Sequence, residues 1–176
     1  MKSGLFCRAP KPDTIGALYG AIVAQARLPA FYRSFGVPDT VAGRLEMILL
    51  HTLLFSRRAR SGAEIMGALG QGVFDRFCDD MDANLREMGI GDLAVPKHMQ
   101  RIGEAFYGRG AAYDAGMAGD GDALGEALMR NVFDGAVPER AARLATYMKA
   151  ADAALARQHD TDLAQGRISF PDPLTF

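Results

Sequence analysis

Apolar side chains recur at steps of three and four along most of this chain, and no stretch sustains the alternation of period two that a half-buried strand requires. The pattern predicts an all-α protein, a single-domain bundle of about six to seven helical segments. The first spans about Thr14 to Ala26, with Ile15, Leu18, Tyr19, Ile22 and Val23 on one stripe, and Pro29 breaks it. A short aromatic connection, PAFYRSFGVPD, follows, and Asp39 then offers a good N-cap for TVAGRLEMILLHTLLFSRR. That segment is apolar almost all the way round, so the helix over about 39–58 is expected to be buried at the centre of the bundle.

A fourth segment covers about Ala63 to Met88, and loosening is expected near Gly67, Gly70 and Gly72, because an interior glycine costs up to about 1 kcal/mol relative to alanine. The fifth begins at Pro96 and carries Met99, Ile102, Phe106 and Tyr113 on one side. A sixth runs from about Ala123 to Phe133 with Asp120 or Asp122 as its cap, and an alanine-rich seventh runs from Pro138 to Arg157. Residues 1–12 are expected to be a flexible lead-in, 13–159 the helical domain, and 160–176 an extended tail.

Composition narrows the class without naming a function. Apolar residues make up 49% of the 176 and charged residues 23%, the balance of an ordinary soluble globule. The net charge is −1, so no global basic field exists to hold polyphosphate, and DNA is not an expected partner. Two cysteines, Cys7 and Cys78, lie in unlike surroundings and point to reduced thiols. The longest apolar run, MILLHTLLF, is far short of the roughly 20 residues a membrane span needs, and the basic N-terminus has neither signal-peptide nor transit-peptide character.

Three stretches imitate chemical motifs. In DDMDANLREMGIGD, the apolar Phe74, Phe77, Met81, Leu85 and Met88 share one helix face, which leaves the aspartates largely solvated. A prenyl-diphosphate metal motif would need an aspartate where Ala83 stands. The GIGDLA pattern lacks the preceding strand that a dinucleotide site requires, and Gly89 instead stands where a helix wants a left-handed cap. DGDALG resembles a calcium loop only in part, since Leu124 and Asn131 fall where oxygen ligands belong. His51, His98 and His159 are isolated from one another, so no metal and no cofactor is expected.

The unusual residues cluster between the first and third helices, where Phe31, Tyr32 and Phe35 interleave with Arg27 and Arg33. Aromatic faces bury large areas while arginine tolerates partial desolvation, which suits contact with apolar protein segments or a lipid interface. The same aromatics could equally anchor a loop onto the core. Arg44 and His51 share one side of the third helix and Glu46 lies among leucines, so each needs a partner, and a structural ion pair is one way to supply it. Arg57, Arg58 and Arg60 form a basic corner that could meet lipid headgroups or ribosomal RNA, or be a solvated helix end favoured by the dipole.

Two long blocks carry a family resemblance. LYGAIVAQARLPAFYRSFGVPDTVAGRLEMILLH, from Leu18 to His51, and FDRFCDDMDANLREMGIGDLAVPKHMQRIGEAFYGRGAAYDAG, from Phe74 to Gly116, closely resemble the ubiquinol-cytochrome c chaperone family. The similarity extends to about residue 133, with Leu45 where an aromatic is usual and Met99-Gln100 where the family is more basic. The resemblance implies a non-catalytic factor for the cytochrome bc1 complex that acts on newly made cytochrome b. It also implies a bacterial form in the cytoplasm, peripherally associated with the inner membrane, with the ribosome exit region as a further possible contact. Client-binding candidates within the blocks are Tyr19, Arg27, Phe31, Tyr32, Arg33, Phe35, Arg44 and His51, then Asp80, Asp82, Arg86, Lys97, Tyr107 and Arg109. Two alternatives remain open: a small-molecule or haem-related enzyme using His51 or Tyr107, and a peripheral lipid-binding domain using Arg57, Arg58 and Arg60.

Overall fold

The structure, a computed structural model, describes residues 10–119, 121–133, 135 and 137–176. Cys7, most of the expected lead-in and the candidate cap Asp120 lie outside the described residues. The described chain contains eight α-helical segments: α1 (Pro12–Ala26), α2 (Pro29–Arg33), α3 (Val41–Arg60), α4 (Glu64–Glu87), α5 (Val95–Ala118), α6 (Ala123–Asn131), α7 (Pro138–Ala156) and α8 (Asp160–Leu163). The aromatic connection therefore contains a helical turn of its own, α2. A 3-10 turn, Pro173–Thr175, follows near the end, and among the described residues no strand occurs.

The all-α single bundle expected from the pattern is the observed architecture, and α3 is its axle. It packs against α1, α4, α5 and α7, and every residue from Met47 to Phe55 is buried. A helix apolar on all sides cannot face water on any of them, so neighbours must surround it. Its cap differs from expectation: Thr40 holds the N-cap position, its Oγ1 accepting from the Gly43 amide at 3.1 Å. Asp39, one residue earlier, is drawn instead to the Arg44 guanidinium at 2.7 Å.

The glycines of α4 do not loosen it. The helix is continuous from Glu64 to Glu87 because two of them admit neighbours: a Cβ on Gly70 would lie 2.8 Å from the Ala59 methyl, and one on Gly72 would lie 2.4 Å from Ile15 Cδ1. Close approach of α3 and α1 replaces the packing that a side chain would supply. The helix ends as its sequence requires, with Gly89 at φ 82°. The Gly89 and Ile90 amides return to the Arg86 and Leu85 carbonyls at 2.9 and 3.1 Å, satisfying groups that would otherwise be orphaned.

Helix α6 packs against both α5 and α7. Asp122 stands at the start of α6, but its side chain makes no capping bond there. Residues 167–172 carry no regular secondary structure and lie between α8 and the 3-10 turn. It is bound to the bundle: Phe170 and Phe176 pack against the core and Pro173 is buried.

Candidate functional site

The segment joining α1 to α3 folds so that its aromatics and its arginines part company. Phe31 and Phe35 point inward and are fully buried, and Phe31 lies 4.9 Å, ring centre to ring centre, from Tyr147 and 5.4 Å from His51. Arg143 of α7 covers the Phe35 ring at 4.4 Å. The two phenylalanines therefore anchor the segment to the core and do not form an accessible face, because burying large apolar rings outweighs presenting them to solvent.

What stays outside is a cleft of about 210 Å³ lined by Arg27, Pro29, Tyr32, Arg33, Asp39 and Arg44. The Tyr32 hydroxyl donates to the Ala26 carbonyl at 2.8 Å, which fixes the ring, and the Arg44 guanidinium stands 5.8 Å from its centre. Asp39 pairs with Arg44, and that hydrogen bond holds its carboxyl below the usual carboxylate range. Arg27 and Arg33 make no ion pair among the described residues. The cleft is thus cationic with an aromatic wall.

His51 is entirely buried inside a polar chain. Its Nδ1 lies 2.8 Å from the Met47 carbonyl, which can only accept, so Nδ1 carries the proton and Nε2 accepts from the Tyr147 hydroxyl at 2.8 Å. Gln25 in turn donates to the Tyr147 oxygen at 3.0 Å and to the Pro171 carbonyl at 3.1 Å. Burial lowers the His51 pKa to about 4, against the opposing effect of the Met47 bond, and burial likewise pushes the Tyr147 phenol up. Both ring nitrogens are occupied by protein groups, so His51 has no free nitrogen to ligate a haem or to act as an acid in a pocket.

The remaining candidates divide between internal duties and free surface. Tyr19 is buried and donates to Asp80 at 2.8 Å, with its own phenol pushed up by burial. Asp82 receives Arg86 at 2.6 Å, and Arg86 also reaches Asp92. Arg109 grips Glu46 with two bonds of 2.7 and 2.6 Å, and burial pushes the Glu46 carboxyl up against the pull of that arginine. Lys97 is exposed at the start of α5. Tyr107 is 69% exposed and leans on Phe74 and Phe106, beside a groove of about 220 Å³ floored by Gly67 and Gly70.

At the far end of α3 the basic corner is neutralised. Arg57 pairs with Asp114 at 2.8 Å and Asp152 at 3.0 Å, and Arg60 pairs with Asp114 at 2.7 Å. Arg58, almost buried, donates to the Leu155 and Gln158 carbonyls at 3.0 and 2.8 Å and pairs with Asp160. These arginines staple α3 to α5, α7 and α8.

Arg143, Tyr147 and Gln25 escaped sequence reasoning because each has a partner more than a hundred positions away in the chain. Val41, Leu93 and Leu174 escaped it too, becoming conspicuous only through exposure, and Met88, expected on the apolar face of α4, is instead 61% exposed because the helix ends there.

A family profile described as "Ubiquinol-cytochrome C chaperone" matches residues 33–170. A solved structure described as "Crystal structure of the Cbp3 homolog from Brucella abortus" is similar at 40% sequence identity with a TM-score of 0.84, over 92% of this chain and 90% of that one. No curated protein matches.

Proposed function

The chain belongs to the ubiquinol-cytochrome c chaperone family, and from that premise we propose that it holds newly made cytochrome b while the ubiquinol-cytochrome c reductase is assembled. The observation that carries this reading is the family match over residues 33–170, supported by the similarity of fold over 92% of the chain. Holding requires a surface and no bond chemistry. Buried Tyr19, Phe31, Phe35 and His51 would then preserve the fold, while the client meets what is exposed.

Within this reading, the cleft of Arg27, Tyr32, Arg33 and Arg44 is the first client contact, with Tyr107 as a flanking one. A guanidinium pair without carboxylate partners seeks carbonyls and carboxylates, and the Tyr32 ring offers an apolar wall, a combination that fits the short polar loops and apolar helix ends of an unfinished membrane subunit. Two further parts of the reading are peripheral association with the inner membrane and proximity to the ribosome exit region. No helix among the described residues is long and apolar enough to cross a membrane.

The test is capture of detergent-solubilised cytochrome b by the tagged protein, repeated with Arg27→Glu combined with Arg33→Glu. Both side chains are exposed, so the double variant is expected to fold and to lose most capture. Undiminished capture would remove the cleft from the reading, and absence of capture by the unaltered protein would remove cytochrome b itself.

A further inference from the structure

Among the described residues, five large apolar side chains are strongly exposed: Val41 at 68%, Met88 at 61%, Leu93 at 100%, Tyr107 at 69% and Leu174 at 67%. Four of them gather at one end of the bundle. Helices α3 and α4 are joined by a three-residue turn and pack together, so the start of α3 lies beside the end of α4. A groove lined by Leu45, Leu85 and Ile102 shows that the start of α5 is there as well. Val41, Met88 and Leu93 therefore share that end. Leu174 joins them because its 3-10 turn packs on α2, whose own Tyr32 faces Arg44 in the first turns of α3.

Pairing separates the cations that open α5 from those that end α3. Arg57, Arg58 and Arg60, at the far end of α3, are all ion-paired. Beside Leu93, Lys97 and Arg101 at the start of α5 are exposed and make no ion pair among the described residues. A molecule of net charge −1 has thus left two cations of α5 unpaired beside the fully exposed Leu93, while the three arginines that end α3 are all held by aspartates.

We propose that the end of the bundle bearing Val41, Met88, Leu93 and Leu174 docks on an anionic lipid surface. Apolar tips enter the boundary between headgroups and acyl chains, while the cations around them meet lipid phosphates; neither contribution alone gives lasting attachment. A client's apolar helix would favour the tips but not the cations, and a polar protein loop would favour the cations but not the tips. The inference rests on the chaperone reading for its setting and deepens it: it names the face that meets the membrane, beside the cleft assigned to the client. It also moves lipid contact away from the basic corner that the sequence first offered.

Flotation of the purified protein with phosphatidylcholine vesicles, with and without phosphatidylglycerol, tests it in the absence of client. The protein is expected to float only with phosphatidylglycerol and to be released as salt is raised, since screening shortens the reach of surface charge. Leu93→Asp, which alters a fully exposed side chain, is expected to weaken partitioning about tenfold or more. Lys97→Glu combined with Arg101→Glu is expected to do so by about tenfold, and Arg57→Glu to leave it unchanged provided thermal unfolding shows that the variant is folded. The proposal is overturned if the unaltered protein does not float, or if Leu93→Asp and the Lys97/Arg101 variant both float as well as it does. It is also overturned if those variants float normally but lose cytochrome b capture in detergent, which would make the face a client site. Loss of flotation with capture intact supports the lipid face and leaves the chaperone reading standing.

Discussion

The Glu46–Arg109 pair is where burial and charge oppose each other most directly. Removing one partner leaves an ionised group in a site whose side chains are only 14% and 21% exposed, and a broken buried pair costs more than an absent one. Glu46→Leu is therefore expected to destabilise by about 2 kcal/mol in urea unfolding, and Arg109→Met added to it to restore part of that loss. Strictly additive effects would show that the pair is not coupled. His51 gives a pH signature. Its folded pKa, about 4, lies below the ordinary 6.5, so the unfolded chain binds the proton first as pH falls. The contribution is complete above about 6.5 and is lost progressively down to about 4. The slope of stability against pH in that window is expected to flatten in His51→Gln.

At the scale of elements, glycine decides how close helices come. Gly116 in α5 faces α6, and a Cβ there would stand 2.7 Å from the backbone nitrogen and Cα of Leu124. Backbone cannot swing aside as a side chain can, so Gly116→Ala is expected to part the two helices and to cost about 2 kcal/mol or more. Gly103, in the same helix, has nothing within 4 Å of its Cβ position. Gly103→Ala is expected to stabilise by about 0.5–1 kcal/mol through helix propensity alone. Urea midpoints moving in opposite directions for the two would confirm the distinction, and equal shifts would dismiss it. Gly89 was legible beforehand because a helix end announces itself locally; Gly116 was not, because its constraint comes from another helix.

Across the whole molecule, the tail completes the core. Phe170 sits 5.3 Å from the His51 ring and Phe176 sits 5.7 Å from Tyr147, so removing either opens the aromatic cluster that joins α2, α3 and α7. Phe170→Ala is expected to cost about 2 kcal/mol, lowering Tm by about 4–8 °C for a chain of this size. An unchanged Tm would mean that the tail is not bound in solution. Apolar spacing alone made the order of the long helices and the burial of α3 legible, since both follow from local periodicity. The family resemblance was legible in Leu18–His51 and Phe74–Gly116, and the comparisons bear it out.

That this chain is helical, which helix lies at its centre and which family it joins were all written along the chain, because periodicity and ordered blocks are properties of neighbouring residues. Which polar and aromatic groups stay free followed from packing alone. Phe31, Phe35, Tyr19 and His51 were consumed by the core, Arg57, Arg58 and Arg60 by distant aspartates, and Leu93 and Lys97 were left outside. A side chain's availability is settled by what folds against it, and in this chain those partners come from more than fifty residues away.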